Sequence, residues 1–189
     1  MSYRQTPSQT IGPFFRPALI EAASDNLINE GTRGERVTIE GRMVDGDGAP
    51  VVDAMVEIWQ ANAEGKYDHL DDDQEKLVDP NFHGYGRSGT DTTGTFRFRT
   101  IKPGALPDGK GGLQAPHINV SIFARGLLKR LVTRIYFPDE PLNESDVLLK
   151  VVSPERRSTL IAKWSDVSSR KLQFDVVLQG ANETVFLDI

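Results

Sequence analysis

The sequence contains no cysteine. That excludes disulfides, thiolate zinc sites and cysteine nucleophiles together. No run approaches the ~20 apolar residues that span a bilayer. The first residues, Met1-Ser2-Tyr3-Arg4-Gln5-Thr6-Pro7, lack the apolar core of a signal peptide. A soluble, cytoplasmic protein with no membrane partner is expected. No basic run interleaves with aromatics, and the net charge is -5, so nucleic acid is not an expected partner. Histidine is scarce as well, at three residues in 189.

What is present reads mostly as strands and turns. Val37–Val44 alternates and then breaks into Asp45-Gly46-Asp47-Gly48-Ala49-Pro50, a turn. Ala54–Trp59 is apolar on both faces, as for a strand inside a sandwich. In Thr95–Thr100, Phe96 and Phe98 take one face, and Arg97 and Arg99 the other. Ile118–Phe123, Leu131–Phe137 and Lys171–Leu178 read as further strands. The one predicted helix runs from about Pro154 to Trp164. Ser153 is placed to cap it, proline suits the first turn, and Leu160, Ile161 and Trp164 have helical spacing.

Two long stretches lack periodicity. Residues 1–34 carry four residues that punctuate structure, Pro7, Gly12, Pro13 and Pro17, and read as an extended arm. Its Phe14, Phe15, Leu19 and Ile20 are costly in water, so the arm is expected to pack on something, another chain included. Residues 60–93 are rich in Asp and Gly, and long irregular loops are commonly functional. One domain is expected, with the arm at 1–34 and a sandwich core at 35–189. The expected fold class is an all-β sandwich of mixed Greek-key type with long loops and one short helix.

The strand Pro116-His117-Ile118-Asn119-Val120 carries the most informative feature. Alternation puts His117 and Asn119 on one face. Two histidines there would grip a metal, but Asn119 is a neutral amide and a poor transition-metal ligand.

Four stretches together have a specific order and spacing: Glu57-Ile-Trp-Gln-Ala-Asn-Ala-Glu-Gly-Lys-Tyr67, Asp79-Pro-Asn-Phe-His-Gly-Tyr-Gly-Arg87, Phe98-Arg-Thr-Ile-Lys-Pro-Gly104 and Ala115-Pro-His-Ile-Asn119. With Thr6-Pro-Ser-Gln-Thr-Ile-Gly-Pro13, they make the chain resemble the intradiol ring-cleavage dioxygenases, from about Thr6 to the C-terminus. That family holds a non-haem ferric ion with two tyrosines and two histidines. Within it, the chain resembles the alpha chain of members built from two homologous chains, whose beta chain carries the Fe(III).

The resemblance places the four ligand positions on Tyr67, Leu106, His117 and Asn119, so half the donors are missing. It implies that this chain binds no metal and carries no catalytic residue. The cofactor is then Fe(III) in the partner beta chain, and the partners are that chain, a small aromatic acid substrate and O2. The same resemblance puts Arg134 in the partner's site as a cation for an anionic substrate, with Thr10, Gly12 and Pro13 lining its entrance. Tyr67 is expected to be partly buried with its hydroxyl bonded, and His117 to be a satisfied histidine of a remnant cavity with Tyr67 as a candidate partner. His69 and His83 read as loop histidines. Two rival readings stay open. One is a self-sufficient dioxygenase of catechol or hydroxyquinol, against which Leu106 and Asn119 stand. The other is a non-catalytic β-sandwich binding module.

Overall fold

The structure, a computed structural model, describes residues 6–12, 14–22 and 24–188. In chain order it comprises α1 (Phe15–Leu19), β1 (Arg36–Val44), β2 (Met55–Trp59), β3 (Tyr85–Gly89), β4 (Thr95–Ile101), β5 (Leu106–Pro107), β6 (Leu113–Gln114), β7 (His117–Phe123), β8 (Leu131–Tyr136), α2 (Val147–Val151), β9 (Lys163–Asp166), β10 (Lys171–Gln173) and β11 (Val176–Val177). Two 3-10 segments, Pro141–Glu144 and Pro154–Leu160, flank α2.

Strand β1 anchors the first sheet. It pairs antiparallel with β4 on one side, and parallel with β10 and then β11 on the other; β9 extends the sheet beyond β10. The second sheet runs β3-β2-β7-β8, antiparallel throughout. Their inner faces meet in one apolar cluster. Val37, Ile39 and Met43 of β1 and Phe96 and Phe98 of β4 face Val56 and Ile58 of β2, Ile118, Val120 and Ile122 of β7 and Ile135 of β8. Burying each such side chain contributes about 1.5–3 kcal/mol relative to exposure. The all-β sandwich read from the alternation is thus the fold.

The inner face fixes the outer one. Because Ile118, Val120 and Ile122 point inward, His117, Asn119 and Ser121 point outward. Register then aligns Tyr85, Trp59, Asn119 and Arg134 in one row across the four strands.

The arm is only partly an arm. Phe15–Leu19 is a single helical turn, and the Phe15 ring lies 5.4 Å from that of Phe123 on the outer face. Farther on, the Arg87 N–H donates to the Ser24 carbonyl and the Ser24 hydroxyl donates back to the Arg87 carbonyl, while the Arg99 N–H donates to the Asp25 carbonyl and the Leu27 N–H to the Arg99 carbonyl. Residues 24–27 therefore stitch the edge of β3 to that of β4, and Leu27 packs against the core cluster. Phe14, by contrast, is exposed.

The helix expected from Pro154 to Trp164 is corrected. The segment is a 3-10 helix that ends at Leu160, and Ser153 makes no side-chain cap bond. Beyond it the edge of β8 takes over: Ile161 bridges to Tyr136, and Ala162 N–H donates to the Tyr136 carbonyl. Trp164 then pairs with Leu172 in a strand. Tertiary pairing overrides the local apolar spacing. The strand expected over Lys171–Leu178 is two short strands, broken between Gln173 and Val176 where Asp175 turns its carboxylate to the Arg42 N–H.

Candidate functional site

The loop after β2 places the first ligand position. Asn62 Oδ1 accepts from the N–H groups of Glu64 and Lys66 at 2.9 and 3.0 Å. Lys66 is buried, and its ammonium donates to Asp72 Oδ1 at 3.1 Å, to the Gln74 carbonyl at 2.7 Å and to the Asp72 carbonyl. Asp72 Oδ2 in turn accepts from the Tyr67 N–H at 2.8 Å. Burial pushes the Asp72 pKa up, but the hydrogen bonds from Tyr67, Gln74 and Lys66 together outweigh it and hold the carboxyl below its usual range. Gly65 sits at φ +75°, and a Cβ there would lie 2.1 Å from the Ala105 carbonyl oxygen. Only glycine lets this loop press against the segment that carries Leu106.

Tyr67 and Leu106 line one cavity of about 420 Å³ together with Trp59, Pro107 and Gln114. The Trp59 ring stands edge-on to Tyr67, with centroids 5.2 Å apart. Leu106 is 7% exposed and offers this cavity only hydrocarbon.

Asn119 decides the character of the site. Its Nδ2 donates to the Tyr67 hydroxyl at 3.0 Å, and its Oδ1 accepts from Arg134 Nε at 3.1 Å. A guanidinium can only donate, which fixes the amide's orientation. The amide's one good donor atom for a metal is therefore spent on a cation. Burial pushes the Tyr67 pKa up, partly offset by Arg134 and by the Asn119 bond.

The partner suggested for His117 is corrected. Its Nδ1–H donates to the Ala115 carbonyl at 2.8 Å, and the residue that bonds Tyr67 is Asn119. His117 is 2% exposed, and its pKa is pushed down to about 4, first by burial and then by Arg134. It is neutral at ordinary pH. A hydrogen-bond chain continues behind it. Arg134 Nη1 donates to Gln114 Oε1 at 3.0 Å and to the Tyr136 hydroxyl at 3.4 Å. Tyr136 donates to Asp146 Oδ1 at 3.0 Å, and Asp146 Oδ2 accepts from the Ala115 N–H. Asp146 also caps α2 through Leu148 and Leu149. Burial pushes the Tyr136 pKa up to about 12.

These residues do not fit a ferric ion. Two of four positions supply no usable donor: Leu106 is hydrocarbon, and the Asn119 oxygen is engaged by Arg134. Among the described residues, no group of three or more His, Asp or Glu side chains is placed to hold a metal. His83 pairs with Asp68 and His69 lies near Asp71, all in the exposed loop.

Arg134 also lines a second hollow, of about 370 Å³, on the outer face beside Trp59 and Tyr85. The arm crosses this same face. The Thr10 hydroxyl accepts from the Gly126 N–H at 2.8 Å, in the hairpin turn between β7 and β8. Gly12 lies where an added Cβ would meet no described atom within 4 Å. Pro13 lies outside the described residues. The structure thus brings Tyr67, Leu106, His117, Asn119 and Arg134 together, with Thr10 tied to the hairpin that leads into Arg134's strand. Reading the sequence missed Tyr136 and Asp146. Asp146, directly before Val147-Leu148-Leu149, carries an N-cap signal that would have located it.

A family model described as "Dioxygenase" matches residues 11–180. The chain is 38% identical to the protocatechuate 3,4-dioxygenase alpha chain of Burkholderia cepacia, over 98% of each chain. It is 40% identical to the beta chain of the same enzyme from that organism, over 80% of this chain and 67% of the relative. A solved dioxygenase domain of a carbohydrate-binding fusion protein from Streptomyces sp. SirexAA-E superposes with a TM-score of 0.63 at 30% identity, covering 94% of this chain and all of that one. No helix among the described residues is long and apolar enough to cross a membrane.

Proposed function

This chain belongs to the dioxygenase family of intradiol ring-cleavage, non-haem iron enzymes, and from that premise we propose that it is the alpha subunit of a protocatechuate 3,4-dioxygenase. The whole enzyme cleaves 3,4-dihydroxybenzoate with O2 to 3-carboxy-cis,cis-muconate. The Fe(III) resides in a homologous beta chain, and this chain supplies part of the substrate pocket. It works in the cytoplasm as one half of an αβ unit, and its 189 residues act as one domain.

The observation that carries this reading is the amide of Asn119. It ties Tyr67 to Arg134 at the place where a ferric site needs a second imidazole. A chain of this family that has closed its own metal site needs a partner that has kept one. Likeness to both an alpha and a beta chain supports that partnership.

Arg134 then serves the partner's site. Its Nε and Nη1 are engaged within the chain, which orients the guanidinium and leaves Nη2 with no hydrogen bond among the described residues. A guanidinium held in this way suits a carboxylate. Thr10, Gly12 and Pro13 border the entrance. The open space around Gly12 supports this, because nothing in the chain's own packing calls for glycine there.

Expressing this chain and an iron-bearing homologue together and separately tests the reading. Oxygen uptake with 3,4-dihydroxybenzoate is expected only from the co-purified pair. Uptake by this chain alone, or failure of the two to co-purify, overturns it.

A further inference from the structure

We propose that Arg130 is a second, specificity-determining cation for the substrate carboxylate, stationed at the outer end of the hollow that holds Arg134. The proposal rests on the reading that Arg134 faces the partner's site, and it extends that reading to a residue outside the family motif.

Residues 130, 132 and 134 share one face of the chain entering β8, because side chains alternate. Both arginines line the hollow of about 370 Å³, with Glu57, Trp59, Tyr85 and Ser121 around them. They lie four residue steps apart, about 13 Å between Cα atoms if the chain entering β8 is extended. They therefore flank the hollow without competing for one ligand oxygen.

The charges do not cancel. Glu57 is the one carboxylate in that lining, and it is already satisfied. Arg87 donates to it at 3.0 Å, and the Tyr85 hydroxyl donates to it at 2.5 Å. Arg134 bonds only neutral groups, and Arg130 only the Ser121 hydroxyl, at a long 3.4 Å. Among the described residues neither has a carboxylate partner. In a chain of net charge -5, the hollow holds two guanidiniums with no carboxylate in direct contact among the described residues, Arg134 reaching Asp146 only through the Tyr136 hydroxyl, beside two half-exposed aromatic rings. That combination selects a planar, aromatic anion. Arg130 is exposed, so its pull must fade with salt.

The test uses the assembled iron-bearing enzyme carrying Arg130→Ala or Arg130→Lys. It compares 3,4-dihydroxybenzoate with its neutral methyl ester at low and high ionic strength. For Arg130→Ala, kcat/KM for the carboxylate is expected to fall roughly three- to tenfold at low salt, mainly through KM. The loss should shrink as salt rises and be several-fold smaller for the ester. Arg130→Lys, which keeps the charge, should recover most of it. Equal losses for acid and ester, or no loss at low salt, overturn the proposal. Weakened assembly with an unchanged acid-to-ester ratio overturns it too, by assigning Arg130 to a carboxylate of the partner chain. An unsubstituted assembly that fails to turn over the acid contradicts the subunit reading itself.

Discussion

Arg134 is held by three neutral acceptors on its own chain, and in the proposed assembly that fixation orients it for the partner's site. The energetic consequence of removing it can be bounded. A hydrogen bond to a charged group contributes about 1.5–3 kcal/mol, which is roughly a 10- to 150-fold change in an equilibrium. Arg134→Ala in the assembled enzyme is expected to raise KM for 3,4-dihydroxybenzoate within that range, with a smaller change in kcat. Steady-state kinetics check this, and an unchanged KM assigns Arg134 to structure alone. His117 makes a second residue-scale case. Its folded pKa of about 4 lies below the ordinary 6.5. Above pH 6.5 it is neutral folded and unfolded, and it contributes no pH dependence. Between about 6.5 and 4 the unfolded chain takes up the proton and the folded chain does not. The His117 contribution to stability therefore falls as pH drops through that window, by up to about 3 kcal/mol, and levels off below it, whereas carboxylates held low, such as Asp72, take over at lower pH. Urea unfolding between about pH 6.5 and 5, above the carboxylate range, should show the slope, and His117→Gln should flatten it there. A variant with the parent's slope would contradict the buried, neutral imidazole. The sequence exposes part of this site. Asn119 at a position paired with His117 is visible by alternation alone. The Asn119–Tyr67 bond is not, because it joins residues 52 apart through a loop whose course depends on the buried Lys66–Asp72 pair.

Elements with strong period-two patterning were legible, and short ones were not. Phe96 and Phe98 announce β4, and β1 and β7 are equally plain, because each has one face fully committed to the core. Strands β5, β6 and β11 have two residues each, too few to carry a period. The segment after Pro154 misled because Leu160, Ile161 and Trp164 have helical spacing, while the free edge of β8 offered backbone partners that spacing cannot reveal. The arm shows the same limit. Its composition predicts packing, but only the fold shows that residues 24–27 close the sandwich and that Thr10 docks on the β7–β8 turn. The described residues before α1, 6–12 and 14, are almost all exposed and contribute little to this chain's own core. Deleting residues 1–13 should leave the thermal midpoint of the chain within a few degrees. It should weaken co-purification with the iron-bearing partner and lower turnover. A truncated chain that forms fully active pairs would contradict the role given to the arm.

At the scale of the whole molecule, the sandwich presents one outer sheet face on which a closed metal site, an anchored guanidinium and the arm all meet. That layout divides labour. The Asn119 amide ties up one ligand position and braces Arg134; in the proposed assembly Arg134 then works in the partner's site. The division has a countable consequence. Elemental analysis of the co-purified pair, with the chains quantified separately, should give one iron per two chains. The isolated alpha chain should be colourless and metal-free. Two irons per pair, or a coloured ferric–tyrosinate complex in this chain alone, would contradict the account.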